Sequence, residues 1–187
     1  TKTTKKTLVI AEKPSVAADL TKVLPGKFKK EKTHFESDTY IVSFAVGHLI
    51  TIAEPGEMDE RYKAWKLANL PILPDKFITK PIGNTKAQLT ALSKLIRKRE
   101  VDTIINACDA GREGELIFRY ILEYVGKSRP VKKNIKRLWL QSMTKDSIKK
   151  GFENLREESE MQNLSDAAIC RSEADWLIGI NGSRGLT

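Results

Sequence analysis

Cysteine is scarce in this sequence, and long hydrophobic runs are missing altogether. Only two cysteines occur in 187 residues. Cys108 and Cys170 stand far apart with no CxxC spacing, which excludes a disulfide scaffold and a cysteine-rich zinc site. No apolar stretch approaches the roughly 20 residues that a membrane span needs. The lysine- and threonine-rich start (TKTTKK) leads into no signal-peptide core. Neither GxxxxGK[ST] nor GxGxxG is present, which argues against an NTPase and a dinucleotide enzyme. Internal repeats and long low-complexity tracts are absent as well. What remains is an ordinary folded composition, 40% hydrophobic and 30% charged. Lys+Arg 33 against Asp+Glu 24 leaves a net charge of +9, which favours a polyanionic partner. A basic chain with no membrane segment reads as cytoplasmic.

Leu8 to Ala11 is a short continuous apolar run, the pattern of a strand covered on both faces. Helical spacing follows from Val16 to Leu24, with Ser15 as the expected N-cap and Pro25-Gly26 as the stop. The lysines between Lys27 and Lys32 read as a solvated loop or edge. A second strand is expected at Tyr40–Val46. Residues 54 to 85 are loop-rich and hold most of the prolines, with Tyr62 and Trp65 expected to anchor them. Leu89, Leu92, Leu95 and Ile96 repeat at helical spacing, and the Arg97–Arg99 end complements the helix dipole. Val101–Ala107 predicts a third strand, about Glu113 to Tyr124 a helix, and Lys136–Leu140 a fourth strand. Thr144 to Leu155 reads as a helix, Arg156–Glu160 as a charged link, and a last helix begins near Ser165. Strands alternating with helices predict an α/β fold, a mostly parallel four-stranded sheet with helices on both faces. The absence of an initiator Met and the abrupt end at Arg184–Thr187 predict a piece of a longer protein.

Two carboxylates carry the chemical argument. Glu12 follows directly on the first strand, and Asp109 lies just past the third. Ligand sites of parallel sheets form outside the carboxyl ends of strands, so neighbouring strands would bring both acids to one rim. Glu113 and Glu115 open the next helix and are expected to point the same way. Carboxylates gathered there repel one another unless a cation compensates. All-oxygen donors suit a hard ion, and Mg²⁺ typically bridges one or two carboxylates to phosphate while keeping waters. The plainer reading is that Glu113 and Glu115 only complement a helix dipole. Lys13, beside Glu12, is placed to hold a phosphate, and Arg112 with Gly111 and Gly114 forms a loop that lets backbone approach a ligand.

LVIAEKPSVA (8–17), GHL (47–49), DAGREGELIF (109–118), RLWLQSMTKDSI (137–148) and CRSEADWLIGINGSRGLT (170–187) together resemble the Toprim domain of type IA DNA topoisomerases, in particular the bacterial topoisomerase III branch. Five blocks in the family's order span almost the whole chain. The resemblance implies a Toprim domain over residues 1–156 and the start of a following helical domain over residues 157–187. It implies an enzyme that breaks one DNA strand through a 5′-phosphotyrosine without ATP, passes another strand and reseals. Under it, Glu12 serves proton transfer or metal binding and Lys13 contacts phosphate. Asp109 and Glu113 are the outer acids of a DxDxE motif holding Mg²⁺. Arg112, Arg171 and Asp175 contact DNA. It further implies single-stranded DNA as partner, a helicase for the parent protein, a monomeric fragment and a nucleoid-associated place in the cytoplasm.

Two departures stand out. Gly111 occupies the position of the middle aspartate of DxDxE, so one ligand is missing and Glu115 or water would have to compensate. None of Tyr40, Tyr62, Tyr120 and Tyr124 stands in the context of the family's nucleophile, so the fragment is expected not to cleave DNA alone. His48 follows a strand in the GHL block, where a structural role is the commoner one. His34 carries no functional argument. Cys108 reads as a buried small hydrophobe, and Trp65, Trp139 and Trp176 read as core residues before base-stacking ones. Other readings of the acids are a small Toprim nuclease or primase-like enzyme, and a non-catalytic basic DNA-binding module.

Overall fold

Side-chain alternation along the first strand builds two cores at once. In β1 (Lys6–Ala11), Leu8 and Ile10 enter one hydrophobic cluster while Val9 and Ala11 enter the other. This is the period of two expected of a strand covered on both faces. The computed structural model describes residues 5–186; residues 1–4 of the basic start and Thr187, the end of the last motif block, lie outside it. After β1 come α1 (Pro14–Thr21), the short strands β2 (Lys29–Lys30) and β3 (His34–Glu36), and β4 (Tyr40–Phe44). A small hairpin-like pair, β5 (Ile50–Ile52) and β6 (Thr79–Pro81), flanks α2 (Pro55–Met58) and its loops. Then follow α3 (Lys86–Arg97), β7 (Val101–Ala107), α4 (Arg112–Gly126), β8 (Asn134–Arg137), α5 (Lys145–Glu153), β9 (Arg156–Glu157) and α6 (Gln162–Leu186).

The main sheet has the order β2-β3-β4-β1-β7-β8-β9, and its four central strands, β4, β1, β7 and β8, are parallel. One face is covered by α3 and α4, through Leu89, Leu92, Phe118 and Ile121, with Ala168 of α6 beside them. The other is covered by α1 and α5, through Ala17, Leu20 and Ile148. The chain leaves β1 toward β4 but leaves β7 toward β8. The β1/β7 boundary is therefore the topological switch point, where ligand crevices open.

The α/β class and the four parallel strands are as the sequence predicts. Three short antiparallel edge strands extend the sheet beyond four, and β2 is the edge alternative for the lysine cluster. The first helix starts at Pro14, not after a Ser15 cap: Lys13 is its N-cap, with no capping side-chain hydrogen bond, and proline at the first turn supplies the fixed φ. Arg156–Glu160 is not a bare link but holds β9 and a capping box between Glu157 and Glu160 that leads into α6. Tyr62 anchors its loop as expected, whereas Trp65 is 61% exposed with the Arg184 guanidinium over its ring. Among the described residues no helix is long and apolar enough to cross a membrane.

Candidate functional site: an acidic rim on a buried ionic platform

Register brings the two principal acids together. β1 and β7 pair in parallel with Ala11 opposite Ala107, so the chain leaves both strands at the same height. Glu12 and Asp109 emerge side by side, with the Asp109 N–H 3.4 Å from Glu12 Oε2. Lys13 Nζ lies 3.4 Å from Asp109 Oδ2, and both side chains are more than half exposed. The loop after β4 closes beside them, since the Gly47 N–H donates to the Glu12 carbonyl at 3.2 Å. In that loop Val46 takes a φ of 63°, a strained value for a β-branched residue, of the kind that clusters at functional sites.

Beneath the rim lies a buried charged network that positions the Asp109 loop. Arg137, at the end of β8, is 1% exposed and is the largest fully buried side chain. Its guanidinium donates to the carbonyls of Cys108 at 2.6 Å, Asp109 at 2.8 Å and Asn106 at 3.1 Å. Glu115, also 1% exposed, stands 3.5 Å from Arg137 Nε and accepts from Arg119 Nε at 3.0 Å and Asn106 Nδ2 at 3.1 Å. Asn106 Oδ1 in turn accepts from the Cys108 N–H at 3.1 Å. The carbonyls of Asn106, Cys108 and Asp109 are thus tied to one fixed cation. Burial lowers the proton affinity of Arg137, and the charge of Glu115 is among the forces opposing it. Burial also pushes the Cys108 thiol well above its ordinary value, so this residue is the inert small hydrophobe expected.

Glu115 therefore does not join the rim and cannot replace the missing middle acid. It lies two positions after Glu113, about 200° around the helix, which turns it into the protein. Glu113 faces out, 73% exposed in its side chain, and contacts His48 Nε2 at 3.2 Å. His48 is thus a rim residue, against the structural role that its lone position favoured. A cavity of about 260 Å³ opens beside this pair, lined also by Arg112, Arg171, Asp175 and Trp176. Arg171 and Asp175, one turn apart on α6, form an exposed ion pair of 3.4 Å. The indole N–H of Trp176 donates to the Ala53 carbonyl at 3.2 Å. Tyr120 reaches the same cavity but is 5% exposed, and burial raises its phenol above the ordinary value.

The residues singled out in the sequence thus form two adjoining groups, Glu12–Lys13–Asp109 and Arg112–Glu113–Arg171–Asp175. Arg137, Asn106 and His48 complete them. The sequence signal for Asn106 was a polar residue near the end of an apolar strand, whereas the polar strand that carries Arg137 offered none. Glu12 and Asp109 offer the hard oxygen donors that Mg²⁺ takes, and Mg²⁺ needs only one or two carboxylates when water and phosphate supply the rest. Among the described residues no three His, Cys, Asp or Glu groups converge, so the donor set fits an open site, not a closed cage. At Gly111 the backbone has φ 156° and ψ −179°, a region essentially reserved for glycine, although a Cβ there would meet open space. The missing acid is therefore matched by a loop shape that disfavours any side chain at that position.

A family model described as Toprim domain matches residues 7–143. The chain is 46% identical over 182 residues to DNA topoisomerase 3 of Staphylococcus haemolyticus (strain JCSC1435), covering 97% of this chain and 25% of that protein. The same figures hold for DNA topoisomerase 3 of Staphylococcus aureus (strain USA300). This chain therefore spans about a quarter of the length of the curated relatives it matches. Among solved structures, full-length topoisomerase I from Thermotoga maritima gives a TM-score of 0.48 at 20% identity, over 80% of this chain and 21% of that one. The family expected from the five sequence blocks is borne out by the match over residues 7–143: this chain belongs to the Toprim domain family.

Proposed function

We propose that these 187 residues are the Toprim domain and the beginning of the next domain of a type IA DNA topoisomerase of the topoisomerase III kind, acting on single-stranded DNA. The observation that carries this reading is the side-by-side emergence of Glu12 and Asp109 at the β1/β7 switch point, with Lys13 against Asp109. Similarity to DNA topoisomerase 3 over 97% of the chain supports it. In the breaking step a tyrosine of the parent protein, its phenolic proton passing to solvent, bonds through oxygen to the scissile phosphorus as the bond to the 3′-oxygen breaks. Glu12 delivers the proton that the departing 3′-oxygen takes up, and resealing reverses both transfers. Lys13 acts as a point charge on the scissile phosphate. Asp109, with Glu12 when it is not serving as the acid, would hold Mg²⁺, which would neutralise charge on the phosphate; Glu113, the third expected ligand, belongs to the adjoining group and does not converge with them among the described residues. Arg112, Arg171 and Asp175 line the cavity beside Glu113, where the single strand would run.

The nucleophilic tyrosine belongs to another part of the parent protein. Tyr62 and Tyr120 are 7% and 5% exposed, which suits neither to attack on DNA. Residues 1–156 form the Toprim unit in this reading, and residues 157–187 begin the next, helical domain. The parent acts in the bacterial cytoplasm on the nucleoid, with a helicase as partner, and the fragment is a monomer. The test is incubation of the 187-residue chain with supercoiled plasmid and Mg²⁺. We expect single-strand binding without nicking. Metal-dependent nicking that Glu12→Ala and Asp109→Ala abolish would establish a small nuclease in its place.

A further inference from the structure

The edge of the sheet opposite the acidic rim carries a second charged feature of the other sign. Two αβ connections meet there, residues 98–100 before β7 and residues 127–133 before β8. Between them lies a groove of about 460 Å³ lined by Arg97, Arg99, Arg129, Lys132 and Lys133, with no acidic residue in its wall. The acids of this edge are each taken up elsewhere: Glu36 by Lys6 and Lys98, Glu100 by Lys98, and Asp102 by Lys5. Two of the groove's cations are fixed by the fold. Arg97 donates to the Val125 carbonyl, to Ser128 Oγ at 2.9 Å and to the Arg129 carbonyl at 3.2 Å. Lys133 donates to the carbonyls of Lys98 and Val101. Arg99, Arg129 and Lys132 are exposed, and their side chains make no hydrogen bond or ion pair among the described residues.

Five like charges around one groove repel one another, and an anion seated between them reverses that sign. Backbone acceptors hold Arg97 and Lys133 in place, so part of the ordering needed to bind is already complete. Guanidinium forks match phosphate oxygens. The rest of the wall is aliphatic, with no aromatic ring on which an unpaired base could stack. The partner therefore meets the groove through phosphates alone, as a duplex presents them.

We propose that this groove is a second nucleic-acid contact, binding the phosphate backbone of duplex DNA without regard to sequence, on the face away from the acidic rim. The choice of DNA as the polyanion rests on the proposed function. The chain would thus touch a duplex flank at one edge of its sheet and a single strand at the other.

The test is equilibrium binding of a fluorescent duplex to the 187-residue chain over a range of salt, for wild type and Arg99→Ser/Arg129→Ser/Lys132→Ser. Losing three phosphate contacts should make the slope of log K against log salt shallower by about 2.7. Lys132→Ser alone should change it by about 0.9, with thermal melting unchanged in both. Inorganic phosphate alone should compete only weakly. An unchanged slope in the folded triple variant overturns the groove while leaving the acidic-rim reading intact. Loss of affinity for anionic phosphatidylserine vesicles with duplex binding retained would overturn it in favour of a membrane surface. Failure of the wild-type chain to bind either single- or double-stranded DNA would remove the DNA reading itself.

Discussion

Glu113 and Glu115 stand two residues apart in one helical turn and have opposite fates. Glu113 is exposed, touches only His48 at 3.2 Å, and borders an open cavity. Glu115 is 1% exposed and is saturated by Arg119, Arg137 and Asn106. The same contrast runs through the whole site. The outer layer, Glu12, Lys13, Asp109 and Glu113, is held by long contacts that a ligand could replace. The inner layer, Arg137, Glu115 and Asn106, is buried and held by a network of charged hydrogen bonds. The exposed acids stay available to a ligand because the backbone beneath them is fixed by other charges.

The contrast breaks most visibly if the inner layer is cut. Glu115→Ala leaves Arg137 buried without its counter-charge, and chemical denaturation should register a loss of about 3–5 kcal/mol. Gly114→Ala comes next, because a Cβ there would collide with the Asp109 carbonyl and force the acidic loop to move. Its cost should be about 1–3 kcal/mol, with altered amide shifts at residues 108–112.

Glu36, on the opposite edge of the sheet, tests a half-buried acid lying between these extremes. Burial pulls its pKa upward, but hydrogen bonds from Lys6 and His34 and the charge of Lys98 prevail and hold it at about 2. The folded value lies below the unfolded one, so its stabilisation is complete above about pH 4.5 and is lost as pH falls toward 2. The urea midpoints of wild type and Glu36→Gln should differ at pH 7 and converge through that window. Glu113→Gln should matter least to folding, within about 0.5 kcal/mol, because its side chain is 73% exposed.

Most of the outer layer was legible in the sequence, because apolar runs end abruptly at Glu12 and just before Asp109. Short apolar runs alternating with helical spacing were enough to predict the four parallel strands. The short edge strands β2, β3 and β9 were not, since two or three residues of mixed polarity carry no periodic signal. Glu115 was read onto the rim because adjacency in sequence suggested a shared direction, whereas helical geometry sends it inward. Arg137 escaped notice for a related reason: a cation in a strand looks like a surface residue until tertiary packing supplies four carbonyls around it.

In the proposed function the exposed acids, not the buried ones, form the ion and phosphate site. An NMR titration of the 187-residue chain with Mg²⁺ tests it most directly. Amide shifts should move at Glu12, Lys13 and Asp109, remain still at Glu115 and Arg137, and vanish in Glu12→Gln/Asp109→Asn. Shifts absent from residues 12 and 109, or undiminished in that double variant, would contradict it.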